Sequence, residues 1–304
     1  MIYTVTLNPS LDYVLDVDDL KAGIINRSSA EKLMAGGKGI NISIVLNELG
    51  VGNCALGFIG GFTGEKIKSM LADRGVNTDF VEIEGETRIN VKVRASIETQ
   101  INAVGPKISL EDVEHLFHCM DRLSEDDILV LAGSIPDMLS EDIYSELIEL
   151  VINKGTRVVL DTTGEALGKC LIHNPFLIKL NDVELGEYFK TTINKDNALS
   201  YAKRLQRKGG RNILISLGSE GAVLLCEDGK DFYSLAHQGI IVNTVGAGDS
   251  MVAGFLYGLE QEQNFEKAFN YAVAAGSASA FSEGLAERAM VEKLYERGPR
   301  NKGI

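Results

Sequence analysis

From Ile108 onward the chain alternates short apolar runs with helix-length segments, and this alternation constrains the fold class more than any other feature. The runs Ile128–Leu131, Val158–Leu160, Leu177–Leu180 and Ile213–Leu217 are too short for buried helices and apolar but for Lys179 and Ser216. Strands buried on both faces read this way. The segments between them carry helical spacing, as in Val113, Leu116 and Phe117 or Ile143, Leu147, Leu150 and Val151. Strands separated by helices imply an α/β fold with a parallel sheet. Ligands of such sheets bind beyond the carboxyl ends of the strands. Ser134, Asp161, Asn181 and Ser216 all fall there.

The first third of the chain adds a second pattern. Ile2–Leu7 reads as a strand stopped by Asn8-Pro9, and Cys54–Gly60 as a buried parallel strand. Helices are expected around Ile42, Val45, Leu46 and Leu49, and around Ile67, Met70 and Leu71. Asp12–Leu20 alternates apolar and acidic residues, as a half-exposed strand does. In Thr87–Ser96, Ile89, Val91, Val93 and Ala95 point one way, while Arg88, Asn90, Lys92 and Arg94 point the other. Thr99–Val104 would return as its hairpin partner. These pieces form a small sheet outside the main core. The expected organisation is a single domain, 1–304. Its core covers about 1–10, 28–85 and 105–304, and a β lid covers about 11–27 and 86–104. Residues 298–304 read as a loose tail.

At 45% hydrophobic and 24% charged, the 304 residues can bury a full core. The net charge of −13 argues against broad nucleic-acid binding and leaves no basic membrane patch. An anionic ligand must therefore be drawn in by a local basic cluster. Cys54, Cys119, Cys170 and Cys226 lie far apart, with neither CxxC nor metal-ligand spacing, and read as reduced. The opening MIYTVTLNPS lacks the charged and apolar regions of a secretion signal, and no stretch reaches membrane-spanning length. A cytoplasmic location is expected.

The chemistry centres on Asn243–Ser250. Gly246 and Gly248 let a turn gather backbone N–H groups at a helix N-terminus, which suits an anion. Asp249 stands in the first helical turn, placed to accept a hydroxyl proton while those amides stabilise a phosphoryl group. A glycine C-cap followed by an ordinary Asp N-cap would share this spelling. A second glycine turn, Ala35–Asn41, feeds a helix and offers Lys38 and Asn41 to a ligand; it lacks the P-loop pattern and could be a plain strand-to-helix turn. Asp12 could hold a ligand hydroxyl or be an exposed turn carboxylate. The basic face of Thr87–Ser96 could grip an anion, Arg88 foremost, or be a solvated face. Asn181 and Glu184 could hold a hydrated Mg²⁺ or form a capping box. Ser216–Gly221 could be a hairpin turn or a nucleotide-contacting turn. None of the four histidines has triad or metal spacing.

The stretches TLNPSLD, AGGKGIN, ETRINVK, AGSIP, KLNDVEL, SLGSEGA and NTVGAGDS follow one another over nearly the whole chain. In this order and spacing they resemble the PfkB (ribokinase-like) carbohydrate kinase family, and most closely its hexose-phosphate branch. The resemblance implies a ribokinase-like doubly wound α/β sheet with helices on both faces and a small β-sheet lid over the sugar. It implies transfer of a phosphoryl group from ATP, with Mg²⁺, to fructose 1-phosphate, giving fructose 1,6-bisphosphate; tagatose 6-phosphate is the alternative acceptor, and a non-catalytic sugar-phosphate sensor a more distant one. Asp249 matches the base, and Gly246, Ala247 and Gly248 the anion hole. Asp12, Gly37, Lys38, Asn41, Arg88, Asn90, Ser134 and Arg27 match sugar-phosphate contacts. Ser216, Gly218, Ser219, Gly221, Asn181 and Lys179 match nucleotide contacts, with Glu184 reaching Mg²⁺ through water. Partners are restricted to small molecules and a second copy joined lid to lid, with no nucleic acid or membrane. Leu180 stands where relatives carry Pro.

Overall fold

The computed structural model describes residues 1–298, so the expected tail lies outside the described residues except for Gly298. The chain opens with β1 (Ile2–Thr6), β2 (Ser10–Asp16), β3 (Ala30–Gly36), α1 (Lys38–Glu48), β4 (Asn53–Ile59), α2 (Gly61–Ala72) and β5 (Asn77–Glu82). It continues with β6 (Ile89–Arg94), β7 (Thr99–Ile101), α3 (Leu110–Cys119), β8 (Ile128–Ala132), α4 (Ile143–Ile152), β9 (Arg157–Asp161) and α5 (Gly164–Cys170). The remainder comprises β10 (Leu177–Asn181), α6 (Asp182–Phe189), α7 (Ala198–Gln206), β11 (Asn212–Ser216), β12 (Ala222–Leu225), β13 (Asp231–Ser234), α8 (Ala247–Glu262), α9 (Phe265–Ala280) and α10 (Arg288–Arg297).

Among the described residues the main sheet runs β13-β12-β11-β10-β9-β8-β1-β4-β5. From β5 to β11 every pairing is parallel. β12 and β13 are antiparallel, so the parallel sheet ends in an antiparallel edge, and Ser216–Gly221 is the turn of the β11–β12 hairpin. The order reverses at β1, which lies between β4 and β8, and that reversal opens a crevice at the carboxyl end of the sheet. Both faces are covered. Leu129 and Leu131 enter a core shared with α3 to α7, whereas Val130 and Ala132 enter one shared with α1 and α8 to α10. Burying Leu129, Val130 or Leu131 contributes roughly 1.5–3 kcal/mol each. No helix among the described residues is long and apolar enough to cross a membrane.

The small sheet runs β3-β2-β6-β7. β2 stops at Asp16, short of the expected Leu20. Residues 30–36, expected within the main core, supply edge strand β3, which pairs antiparallel with β2 from Ser10↔Gly36 to Asp16↔Ala30. α8 is enclosed nearly all round, since Asp249 through Gly258 are all buried. α1, α9 and the sheet enclose it.

Candidate active site

A cavity of about 1200 Å³ lies between the carboxyl ends of the main strands and the inner face of the small sheet. Two glycine turns build its floor. Gly37, at φ 127°, caps α1, and a Cβ there would stand 2.6 Å from Thr6 Cγ2. The turn places Lys38 and Asn41 in the first turn of α1. Gly246, at φ 78°, caps α8 and lines the cavity with Ala247 and Gly248; the Ala247 amide donates to Thr244 O at 3.3 Å, while the Gly248 amide next in line has no partner within the helix.

Asp249 follows in the first turn of α8 and accepts a hydrogen bond from Asn41 Nδ2 at 2.7 Å. Burial raises its pKa, and the nearby Asp161 charge adds to this; Lys179, the Asn41 amide and Lys38 oppose. The carboxyl is pushed up to about 6.

Beside it lies an ionic network. Lys38 Nζ reaches Asp161 Oδ1 at 2.7 Å and Glu184 Oε1 at 3.0 Å. Burial works against the Lys38 charge, yet Asp161 and Glu184 outweigh it and hold the ammonium above the ordinary lysine value. For Asp161, burial opposes ionisation but Lys179 and Lys38 prevail, holding its carboxyl below the usual range. Its buried Oδ2 has no hydrogen-bond partner; Lys179 Nζ stands off at 3.4 Å, an ion-pair distance only. Glu184 Oε2 accepts from Asn181 N while Asn181 Oδ1 accepts from Glu184 N, so the capping box forms and still leaves Glu184 Oε1 to Lys38.

On the small sheet, Arg88 lines the cavity but donates to the carbonyls of Asn8 (2.8 Å), Pro9 (3.3 Å) and Ala103 (3.2 Å). Its guanidinium is thereby fixed in direction, with only part of its donor set left for a ligand. Asp12 is buried beside Ser10, Asn90 and Lys92. Ser134, Ser216, Gly218, Ser219 and Gly221 complete the predicted residues that meet this cavity. Arg27 stands apart, exposed on the loop between β2 and β3 and not lining the cavity. Sequence reasoning gave no role to Asp161, Ser10 or His237. Asp161 was visible as an acid ending an apolar strand; His237, buried against the cavity, had no pattern around it.

The donor set suits a magnesium nucleotide. Among the described residues no three His, Cys, Asp or Glu side chains converge as metal ligands. Mg²⁺ commonly binds through one or two carboxylates, waters and phosphates rather than a full protein cage. Glu184, which lines the cavity beside Asn181, would face such a hydrated ion, with the buried Asp161 behind it holding Lys38 and Lys179.

A model of the pfkB family carbohydrate kinases matches residues 5–292. The chain belongs to this family. It is similar to 1-phosphofructokinase of Bacillus subtilis, at 46% identity over 295 residues covering 97% of each chain. It is also similar to D-tagatose-1-phosphate kinase of Bacillus licheniformis, at 36% identity covering 94% of this chain and 95% of the relative. Among solved structures, Escherichia coli phosphofructokinase-2 in complex with substrates and products matches with a TM-score of 0.92 and 29% identity, covering 97% of this chain and 98% of that one. Kinases of this family use ATP, normally with Mg²⁺.

Proposed function

We propose that this kinase phosphorylates a ketohexose 1-phosphate, fructose 1-phosphate foremost, at its 6-hydroxyl. The observation that carries the reading is Asp249, a buried carboxylate in the first turn of α8, beside the Gly246–Gly248 turn that lines the cavity. Asp249 takes the hydroxyl proton as the sugar oxygen forms its bond to the γ-phosphorus of ATP. The bond from that phosphorus to the β-γ bridging oxygen breaks, and ADP leaves with the oxygen. The amides of Ala247 and Gly248 stabilise the charge on the moving phosphoryl group. Bound Mg²⁺ neutralises the nucleotide phosphates. Asp12, Gly37, Lys38 and Asn41 orient the sugar, while Arg88 and Ser134 face its phosphate. Ser216 to Gly221, Asn181 and Lys179 face the nucleotide.

The similarity to Bacillus subtilis 1-phosphofructokinase favours fructose 1-phosphate. The Bacillus licheniformis relative supports a second reading, tagatose 1-phosphate, the C4 epimer; tagatose 6-phosphate is a third. A coupled ADP-release assay with Mg-ATP compares these with free fructose. A kcat/KM at least about tenfold higher for fructose 1-phosphate, some 1.4 kcal/mol at the transition state, is expected. A tenfold preference for a tagatose phosphate would move the substrate and keep the chemistry. Two copies are proposed to join through the outer faces of their small sheets.

A further inference from the structure

We infer that Lys92 is a positioning residue that acts through Asp12: by holding that carboxylate, it sets which sugar hydroxyl the site accepts. The inference rests on the proposed activity and concerns its selectivity. The alternation of β6 makes Lys92 a candidate for the substrate phosphate, but its ammonium is already engaged. Lys92 Nζ lies 2.7 Å from Asp12 Oδ2, and its side chain is only 16% exposed.

The geometry around Asp12 is closed on the protein side. Ser10 Oγ donates to Asp12 Oδ1 at 2.6 Å, and Asn90 Nδ2 donates to the same oxygen at 3.2 Å. The Asn90 amide cannot turn freely, because its Oδ1 accepts from Ala103 N at 3.2 Å. On the opposite side, a Cβ at Gly36 would stand 2.7 Å from Ser10 Oγ and 2.8 Å from Asp12 Oδ1. The network is cross-strand: Asp12 pairs with Asn90 in the parallel β2–β6 register, and Lys92 reaches it diagonally from the Val14 position.

An ionised carboxylate offers about four lone-pair sites. Ser10, Asn90 and Lys92 fill three, and the one left is on Oδ2, the oxygen that Lys92 holds. Asp12 can then take a single hydroxyl from a single direction and cannot clasp a vicinal diol with both oxygens. Lys92 defines that direction. Without it, Oδ2 is free at both lone pairs and the carboxylate is unbalanced in a half-closed site, so affinity and stereochemical discrimination should fall together.

The test is steady-state kinetics of Lys92→Met, Lys92→Arg, Asp12→Asn and the Asp12→Asn/Lys92→Met pair. The acceptors are fructose 1-phosphate, its C4 epimer tagatose 1-phosphate and its C3 epimer psicose 1-phosphate. Lys92→Met is expected to raise KM for fructose 1-phosphate about tenfold while kcat changes less than about threefold. The preference for fructose 1-phosphate over at least one epimer should narrow severalfold. Lys92→Arg should restore most of both. In the Asp12→Asn background, loss of Lys92 should add little, because the two act as one unit. Equal losses toward all three acceptors that persist without Asp12 would overturn the inference and assign Lys92 directly to the shared phosphate. A lowered thermal midpoint with unchanged KM and selectivity would overturn it in favour of a purely structural ion pair. Wild-type turnover of fructose 1-phosphate checks the underlying activity separately. If another ketohexose phosphate is preferred, the same comparison runs on that substrate and its epimers.

Discussion

Asp249 is ionised against the pull of its surroundings, because burial and the Asp161 charge both favour the protonated form. A base of this kind is matched to proton transfer near neutral pH. Asp249→Asn keeps the shape and removes the base, and kcat should fall by about 10²–10⁴. The same substitution has a consequence for stability. The folded-state pKa, about 6, lies above the ordinary aspartate value. As pH rises through this range, the folded protein retains a proton that the unfolded chain has already released, so stability falls until Asp249 ionises in both states. The cost above pH 6 is on the order of 1–3 kcal/mol. Asp249→Asn should therefore raise the thermal midpoint relative to wild type at pH 8, and do so less at pH 5. Calorimetry at the two pH values measures this, and an equal effect at both would show that Asp249 is not strained as an anion.

At the scale of elements, the two glycine-capped helices carry the site, and one substitution separates their chemistry from their folding. A Cβ at Gly248 would collide with Lys179 Nζ, the far end of a flexible chain, and not with backbone. Gly248→Ala should leave the thermal midpoint within about 2 °C and lower kcat/KM at least about tenfold by displacing that ammonium from the α8 N-terminus. A large loss of stability with intact activity would place Lys179 outside the chemistry. Both helix starts were legible, since GGKG and GAGD spell the turns directly. β3 was not: AEKLMAG is made mostly of good helix formers and lacks β-branched residues. Its strand state comes from pairing with β2, a tertiary effect. β5 and β13 were passed over because both are largely polar edge strands. The ionic network was equally hidden, since Lys38 and Asp161 meet across 123 residues of sequence. Arg88 was read as a cation facing solvent or phosphate, and periodicity could not show that it would spend donors on three backbone carbonyls.

At the scale of the molecule, the small sheet is arranged against what a sheet over water requires. Antiparallel-type sheets that cover a core usually turn their polar face outward. Here the polar residues Asp12, Asn90 and Lys92 face the cavity. The outward row runs Leu33–Tyr13–Val91–Ile101 across all four strands. Leu33 is 40% exposed and Ile101 63%. A second copy packed on this face in an isologous pair would bury the row from both sides at once. Each 100 Å² of apolar surface removed from water contributes about 2.5 kcal/mol. The row shares β6 with Asn90 and Lys92, so burying it outside also stiffens the strand that carries the inner polar face. Leu33→Asp combined with Ile101→Asp should convert a dimer to a monomer in sedimentation velocity at micromolar concentration, and raise KM for the sugar phosphate more than KM for ATP. A wild-type protein that sediments as a monomer would refute the pairing. A dimer that survives both aspartates would move the interface elsewhere on the surface.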